Sequence, residues 1–335
     1  ADETKPTGTI TAVPNSWSAG NGTVTITAQD QGSGLDTFTL QRYSYVTRSW
    51  STVKTWNLNG TTSSTTKTYT ETSEGVFYYK VTIKDKAGNS KEASSSAIYL
   101  DHSNPVIYGL SNVMKDWTKV APVISITTTD YLYGTSYNGS GVASVVIKDD
   151  LGVTVASGTT AASYTLQPKY EGYHTWYVTI KDAVGHVSTG SVSTKYDITK
   201  PGIDGTEVAH VVNGVTYSGY CQDNIINQHI DDEIRRSPNG ANLSSGVKSV
   251  ILYRVTGSNR EVIYSEQTKK NFSASDTHSY FDMYYEIQRT EQTTSYYEII
   301  VTDFAGNRAS KKLTSQYSLL SWFHTSIDRS SYNLR

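Results

Sequence analysis

One short segment occurs three times along this chain of 335 residues, and it constrains the fold more than any other feature. The copies span residues 77–89, 176–186 and 297–307. In the first copy Tyr79 and Val81 alternate with polar residues, which is the two-residue period of a half-buried β-strand. Each strand runs into Asp-x-x-Gly, in which Asp closes a turn and Gly supplies positive φ. The repeats therefore predict a repeated β architecture.

Two further features precede each copy in the same order. One is a junction of the form Asp-x-Thr/Ser-x-Pro, which starts at Asp2, Asp101 and Asp197. The other is an apolar strand that ends in an aspartate and leads to Ser-Gly, with its aspartates at Asp30, Asp130 and Asp223. Many short strands, turn residues between them and no sustained 3.6-residue periodicity indicate a β-sandwich in each unit.

This order of motifs resembles the immunoglobulin-like repeats of Gram-positive bacterial surface proteins and adhesins. The resemblance covers Asp2 to about Tyr317 and implies an all-β fold of three tandem immunoglobulin-like β-sandwiches. It also implies that apolar packing replaces the antibody-type disulfide, because Val81, Val178 and Ile299 stand where a cysteine would be. The predicted divisions are units at 1–100, 101–196 and 197–317, an enlarged loop at 224–244, and a tail or start of a next segment at 318–335.

Composition narrows the classes of partner. The net charge is −2 and the basic residues are scattered, so neither nucleic acid nor direct membrane insertion is expected. The single cysteine cannot pair within the chain, which excludes a disulfide-built module. The resemblance implies an extracellular location, secreted or anchored to the bacterial cell wall. We expect a monomer within a longer chain, because the first residues match the internal junctions.

The units differ most in the loop after the Asp-ended strand. Only two residues separate Asp30 from the next Ser-Gly pair, whereas loops 131–139 and 224–244 are longer. Long loops are often functional. The first of them has the composition of a binding loop, with candidate ligand contacts at Tyr131, Tyr133 and Tyr137. The alternative is that these tyrosines lie against their own sandwich.

The loop 224–244 carries isoleucines four residues apart at Ile226, Ile230 and Ile234, a spacing that predicts a short helix. Either this helix docks on its own domain, or its face meets a partner. The candidate ligand contacts are His229, Arg235 and Arg236.

The segment 42–56 of the first unit is a further candidate site. Strand alternation places Tyr43, Tyr45 and Trp50 together on a strand face or at a hairpin tip. Exposed aromatic side chains beside arginine are typical of protein-binding hot spots, and aromatic platforms also stack on sugars. The alternative is a tryptophan packed over the edge of the core.

The resemblance also implies a metal site. In an immunoglobulin-like sandwich the junction and the two Asp-containing turns lie at one end, so one aspartate from each is expected to meet in every unit. The expected groups are Asp2, Asp30 and Asp85, then Asp101, Asp130 and Asp182, then Asp197, Asp223 and Asp303. Clustered carboxylates bind Ca²⁺, which related repeats use at their junctions. The alternative is that each aspartate only caps its own turn. No cofactor is required, and Ca²⁺ is the candidate ligand.

These observations predict a non-catalytic, adhesin-type binding protein that recognises a host macromolecule through its loops. The partner would be a host protein or glycoprotein, such as an immunoglobulin, or a glycan. The sequence contains no nucleophile motif, zinc spacing or phosphate loop, so it is not expected to be an enzyme. Two alternatives stay open, namely a passive stalk of a cell-wall protein and a carbohydrate-binding accessory module of a large secreted enzyme.

Overall fold

The computed structural model describes residues 2–110, 116–169, 171–204, 210–212, 215–217, 225–231, 245–267, 280–286 and 296–313. Throughout these residues the regular secondary structure consists of β-strands, and no helix occurs among them. The strands form tandem β-sandwiches, so the predicted all-β fold class is confirmed.

The first unit contains nine strands, which are β1 Thr7–Val13, β2 Trp17–Ser18, β3 Gly22–Gln29, β4 Leu35–Ser44, β5 Ser49–Thr62, β6 Ser64–Glu71, β7 Gly75–Asp85, β8 Ser90–Ser94 and β9 Ile98–Leu100. One sheet has the order β1-β3-β6. The other has the order β2-β9-β7-β4-β5, with β8 also paired to β7. This is the two-sheet division of an immunoglobulin-like sandwich, and β7, the first copy of the repeated segment, lies inside the larger sheet.

The second unit repeats this plan. Its strands are β10 Val106–Tyr108, β11 Ile124–Thr129, β12 Val142–Lys148, β13 Thr154–Gly158, β14 Ser163–Leu166, β15 Gly172–Asp182 and β16 Val187–Tyr196. The sheets have the orders β10-β11-β14 and β13-β12-β15-β16. Strands β12 and β15 therefore take the places that β4 and β7 hold in the first unit.

The third unit contributes β17 Gly202–Asp204, β18 His210–Val212, β19 Val215–Tyr217, β20 Ile225–Asp231, β21 Val247–Thr256, β22 Asn259–Gln267, β23 Tyr280–Glu286, β24 Tyr296–Asp303 and β25 Arg308–Leu313. Its sheets have the orders β17-β20-β23 and β22-β21-β24-β25, and β18 and β19 form a separate hairpin.

The prediction of a helix is wrong for residues 226–231. The end of the strand predicted to finish at Asp223 lies outside the described residues. Residues 225–231 form β20, which lies between β17 and β23 as β3 lies between β1 and β6. The register pairs Gly202 with Asp231, as it pairs Thr7 with Gln29 in the first unit. A four-residue spacing fits a helix and also an even-numbered strand repeat, so the isoleucines could not decide between them.

The core of each unit follows the alternation predicted from the repeated segment. Tyr79 and Tyr297 are fully buried, and so are Val81, Val178 and Ile299 at the positions of the antibody-type cysteines. In the first unit these strands pack against apolar side chains of the opposite sheet, including Val24 and Ile26. Apolar contact therefore joins the two sheets where antibody domains place a disulfide.

A glutamate that immediately precedes β7, and another that immediately precedes β15, tie each of the first two units to the next. The Glu74 carboxylate accepts hydrogen bonds from the His102 amide (3.0 Å) and the Ser103 hydroxyl (2.8 Å). The Glu171 carboxylate accepts them from the Thr199 amide (2.6 Å) and the Thr199 hydroxyl (2.9 Å). The same joint therefore recurs at both junctions.

Candidate functional site

Four aromatic side chains of the first unit, Tyr43, Tyr45, Trp50 and Tyr78, form one surface cluster, called the aromatic patch below. Tyr43 of β4 pairs with Trp50 of β5 and with Tyr78 of β7, so all three project from the same face of the sheet. The ring centroid of Tyr43 lies 5.4 Å from Tyr45, 5.4 Å from Trp50 and 5.2 Å from Tyr78. Trp50 is 42% exposed and Tyr45 is 41% exposed.

The β4–β5 hairpin positions this cluster. Tyr45 begins the turn, and its amide donates to the carbonyl of Val76 at 3.0 Å, which holds the tip against β7. Arg48 closes the turn with a φ of 55°. The Nζ atom of Lys80 lies 5.3 Å from the centroid of the Trp50 ring, so a cation borders the aromatic patch.

The structure brings together the three aromatic residues predicted from the sequence in this segment, while their role in binding stays a prediction. Sequence reasoning missed Tyr78 and Lys80. Both stand at outward positions of the repeated segment, but only the strand pairing shows that this segment lies beside β4. Trp56 packs partly buried against the core and does not belong to the patch.

The rings of the aromatic patch do not lie in one plane. The interplanar angle is 89° between Tyr43 and Tyr45, 60° between Tyr43 and Trp50, and 81° between Trp50 and Tyr78. Stacking on sugars is expected where accessible ring faces form a flat row, which these tilted rings do not, whereas tyrosine and tryptophan are enriched in protein-binding hot spots. The shape of the patch therefore fits a protein ligand better than a sugar.

Loop 131–139 is built as a small closed hairpin that docks on the joint between the first two units. Leu132 is buried, and its amide donates to the Tyr137 carbonyl at 3.0 Å. The amide of Tyr133 donates to the Ser103 hydroxyl at 3.0 Å and also to the Glu74 carboxylate. The Tyr133 side chain is 89% exposed, while Tyr131 and Tyr137 are half-buried. The loop thus has structural contacts as well as one free ring.

The other predicted contacts are in the third unit. His229 lies in strand β20 and not in a loop, and the ladder places it opposite Asp204 and Asp282. That position corrects the loop prediction, because a strand inside a three-stranded sheet has neighbours on both sides. Arg235 and Arg236 lie outside the described residues.

The three aspartates predicted to bind metal in the second unit lie at one end of its sandwich and are buried. The amides of Ser140 and Gly141 donate to Asp101 and Asp130, respectively, at 2.6 Å each. The pKa of Asp130 is raised to about 6, chiefly by burial and to a smaller extent by the charges of Asp101 and Asp182.

In this cluster, Asp101 and Asp182 stand within 4.8 Å of the imidazole of His186, measured between potential ligand atoms. The Nδ1 atom of His186 lies 2.7 Å from Asp182. The other two units carry asparagine at this position. The side-chain amide of Asn89 donates to Asp85 at 2.8 Å and to the Asp2 carbonyl at 3.1 Å, so it ties the turn to the junction.

The first and third units repeat the arrangement. In the first, carboxylate oxygens of Asp2, Asp30 and Asp85 all lie within 4.8 Å of one another. In the third, Asn307 donates to Asp303 at 2.8 Å and to the carbonyl of Asp197 at 2.9 Å. The pKa of Asp197 is raised to about 7, chiefly by burial and to a smaller extent by the charge of Asp303. Asp223, predicted for this cluster, lies outside the described residues.

A glycine makes room for the junction aspartate in the first two units. A Cβ atom at Gly32 would stand 2.1 Å from Asp2 Oδ2, and one at Gly139 would stand 2.7 Å from Asp101 Oδ2. Both approaches are closer than a side chain allows. A side chain at either position would therefore have to displace the carboxylate beside it.

Two equivalent oxygens of these clusters have no hydrogen-bond partner. They are Oδ1 of Asp30 and Oδ1 of Asp130, on side chains that are 3% and 4% exposed. The other oxygen of each accepts one backbone amide, from Gly34 at 2.7 Å and Gly141 at 2.6 Å. A buried carboxylate oxygen without a donor is costly unless a proton or a cation satisfies it. The oxygen-rich donor set fits Ca²⁺.

No helix in the described part of the chain is long and apolar enough to cross a membrane. This finding concerns helices alone.

No family model matches the sequence, and a search of curated proteins finds no match. Among solved structures, the fibronectin(III)-like modules of CbhA from Clostridium thermocellum share 14% identity at a TM-score of 0.21, over 54% of this chain and 87% of that chain. A structure concerning host cell surface retention of a 1.5-MDa bacterial ice-binding adhesin shares 13% identity at a TM-score of 0.27, over 94% and 98%. Latent PorU from Porphyromonas gingivalis shares 10% identity at 0.20, over 90% and 32%. Scores this low carry no argument, and the fold rests on the strand pairing of this chain.

Proposed function

We propose that this chain is a non-catalytic binding region of a secreted or cell-wall-anchored bacterial surface protein. In this proposal the tandem sandwiches present the aromatic patch of the first unit to a host protein or glycoprotein, with immunoglobulins as one class of partner. The observation that carries the proposal is the clustering of two exposed and two half-exposed rings on one sheet face.

Physical chemistry supports a binding role for this cluster. Tyrosine and tryptophan supply large contact areas with few rotatable bonds, and they dominate binding energy where they are buried by a partner. Lys80 adds a positive charge at the edge of the patch. Nothing in the packing of the sandwich requires Trp50 and Tyr45 to lie at the surface together, since the core beneath is filled by Phe38, Leu40 and their neighbours.

A passive spacer is the second candidate function, and the repeated joint favours it. Glu74 and Glu171 make the same kind of contact to the following unit, which would limit bending of the array. The accessory carbohydrate-binding module is favoured less, because the rings of the aromatic patch are tilted towards one another.

We expect Trp50→Ala to weaken binding of a host protein by about tenfold or more, the usual cost of losing a hot-spot aromatic. The chain would be immobilised and exposed to fractionated serum and to purified immunoglobulin G, and captured protein would be measured by surface plasmon resonance. Tyr177→Ala is the matched control, because Tyr177 is an exposed tyrosine on the equivalent strand of the second unit. Equal capture by the unchanged chain and by Trp50→Ala, or no capture by either, would favour the spacer function.

We also propose that the aspartate clusters of the first two units bind Ca²⁺ through the unpartnered oxygens of Asp30 and Asp130. Asp2 and Asp85 would complete the donor set in the first unit, and Asp101 and Asp182 in the second. Binding would offset the cost of the buried oxygens and the repulsion between neighbouring carboxylates. It would also stiffen the junctions, because Asp2 and Asp101 belong to them.

Calcium is expected to raise the melting temperature of the chain relative to the same sample in EDTA. A hundredfold excess over the dissociation constant would stabilise each occupied unit by about 2.7 kcal/mol. Scanning calorimetry would measure the shift for the chain and for Asp30→Asn and Asp130→Asn, each of which should remove the response of its own unit. Asp116→Asn, at an exposed aspartate, should leave the response intact. Identical melting in calcium and EDTA would contradict the metal proposal.

A further inference from the structure

The second unit contains a cavity of about 230 Å³ at one end of its sandwich. Its lining combines two carboxylates with a histidine and an aromatic wall, contributed by Asp149, Asp150, His174 and Trp176. Pro168 and the exposed Lys169 complete one side. None of these residues belongs to the aromatic patch or to the aspartate clusters, so the cavity is a separate feature.

The strand register shows which residues of the first unit are equivalent to the residues that line this cavity in the second unit. Leu40 pairs with Val81 and Ile147 pairs with Val178, so Arg42 and Asp149, each two residues further, are equivalent. The same comparison of β3–β6 with β11–β14 makes Glu71 equivalent to Pro168. Strands β7 and β15 both have 11 residues, which makes Phe77 equivalent to His174 and Tyr79 to Trp176.

In the first unit an arginine fills this place. Nη1 of Arg42 donates to Glu71 at 2.8 Å, and the hydroxyl of Tyr79 donates to the same carboxylate oxygen at 2.9 Å. The guanidinium carbon of Arg42 lies 4.6 Å from the centroid of the Phe77 ring. An arginine held between a carboxylate and an aromatic ring is therefore the arrangement that this position of the fold accommodates.

The second unit reverses the charge at this position and leaves space beside it. Arg42 is replaced by Asp149, and the third unit keeps an arginine, Arg254, opposite Tyr297. Asp149 is held in place through Oδ1, which accepts the amides of Leu151 at 3.0 Å and Val153 at 2.9 Å.

The carboxylate of Asp150, next to Asp149, is also held in place. Oδ2 of Asp150 lies 3.6 Å from Nδ1 of His174, and the two side chains are only 10% and 6% exposed. Nε2 of His174 lies 3.2 Å from the carbonyl of Glu171, so the imidazole stands between two acceptors. The ring centroids of His174 and Trp176 are 6.3 Å apart, which places the aromatic wall next to the acidic groups.

We propose that this cavity binds an arginine side chain supplied by another protein, which would enter where Arg42 lies in the first unit. A guanidinium is planar, forms paired hydrogen bonds with a carboxylate and stacks on an indole, so Asp149 and Trp176 match it. The site does not depend on the aromatic patch. A result that contradicts binding at the aromatic patch would therefore not contradict the arginine site, and the reverse also holds.

The test uses a small arginine probe and the whole chain. N-acetyl-arginine amide is expected to shift the indole N–H resonance of Trp176 in a nitrogen-edited NMR titration. N-acetyl-citrulline amide has nearly the same shape without the charge, and it should bind about tenfold more weakly or worse, the cost of losing a charge-assisted hydrogen bond. Asp149→Asn should weaken the arginine probe to a similar extent while keeping the shape of the side chain.

Asp149→Arg provides the sharper variant, because it restores the residue of the first unit and should fill the cavity, abolishing the shift. Asp36→Asn, at an aspartate of the first unit remote from the cavity, should leave probe binding unchanged. Equal binding of the arginine and citrulline probes, or a Trp176 shift that persists in Asp149→Arg, would overturn the proposal. A lysine amide that binds as tightly as the arginine amide would contradict the guanidinium assignment.

Discussion

Replacing Glu71 by alanine is expected to destabilise the first unit by about 3 kcal/mol, the low end of the cost of breaking a buried ion pair. Glu71 is buried and accepts hydrogen bonds from Arg42 and from the hydroxyl of Tyr79. Its other oxygen accepts the amide of Ser73 at 2.9 Å. Without the carboxylate, the arginine loses its counter-charge and the tyrosine hydroxyl its acceptor. Burial is the largest cause that holds the pKa of Tyr79 far above its usual range, and it persists in the variant, so ionisation of the tyrosine is not expected to relieve the loss.

The effect would be measured by hydrogen exchange with mass spectrometry, which separates peptides of the first unit from those of the others. Peptides from β7 should exchange faster by a factor that corresponds to the lost free energy, about 160-fold for 3 kcal/mol. Glu92→Ala is the matched control. Glu92 pairs with Lys80 at 3.7 Å on the surface, and its loss should cost less than about 1 kcal/mol. Equal effects of the two substitutions would show that the buried network adds nothing.

Leu132→Ala is expected to release loop 131–139 from the joint, at a cost of about 2 to 5 kcal/mol for a buried leucine. Leu132 is the buried anchor of a hairpin whose other side chains are half-buried or exposed. The loop also contributes the amide of Tyr133 to the joint, and the amide of Gly139 donates to the carbonyl of Asp130 at 3.0 Å. Loss of the anchor would therefore loosen the joint and disturb the aspartate cluster.

Tyr133→Ala separates this structural role from a binding role, because the Tyr133 side chain is exposed and its backbone contacts survive the substitution. Amides of the loop should exchange faster in Leu132→Ala and at the normal rate in Tyr133→Ala. If a host protein is captured as well in Tyr133→Ala as in the unchanged chain, the loop serves the joint. Unchanged exchange in Leu132→Ala would contradict the anchoring role.

Local patterns in the sequence were enough to predict the all-β class, the tandem sandwiches and the buried face of the repeated segment. Alternation of Tyr79, Val81 and Ile83 is a property of adjacent residues, and it persists whatever the strand pairs with. The same alternation predicted that Tyr43 shares a face with Tyr45. These features rest on short-range geometry, which is why they could be read without coordinates.

Other features depend on which strands lie side by side, and they could be found only in the folded chain. Tyr78 joins the aromatic patch because β7 pairs with β4, and residues 225–231 form a strand because β17 and β23 flank them. The arginine ligand proposed for the cavity of the second unit follows from the register, which makes Arg42 equivalent to Asp149. Pairing of distant segments is set by packing of the whole sandwich, and a four-residue spacing of isoleucines fits either a helix or a strand. The alternation of apolar residues along a strand is a local pattern and can therefore be recognised in the sequence. The register between strands is a long-range property of the folded chain.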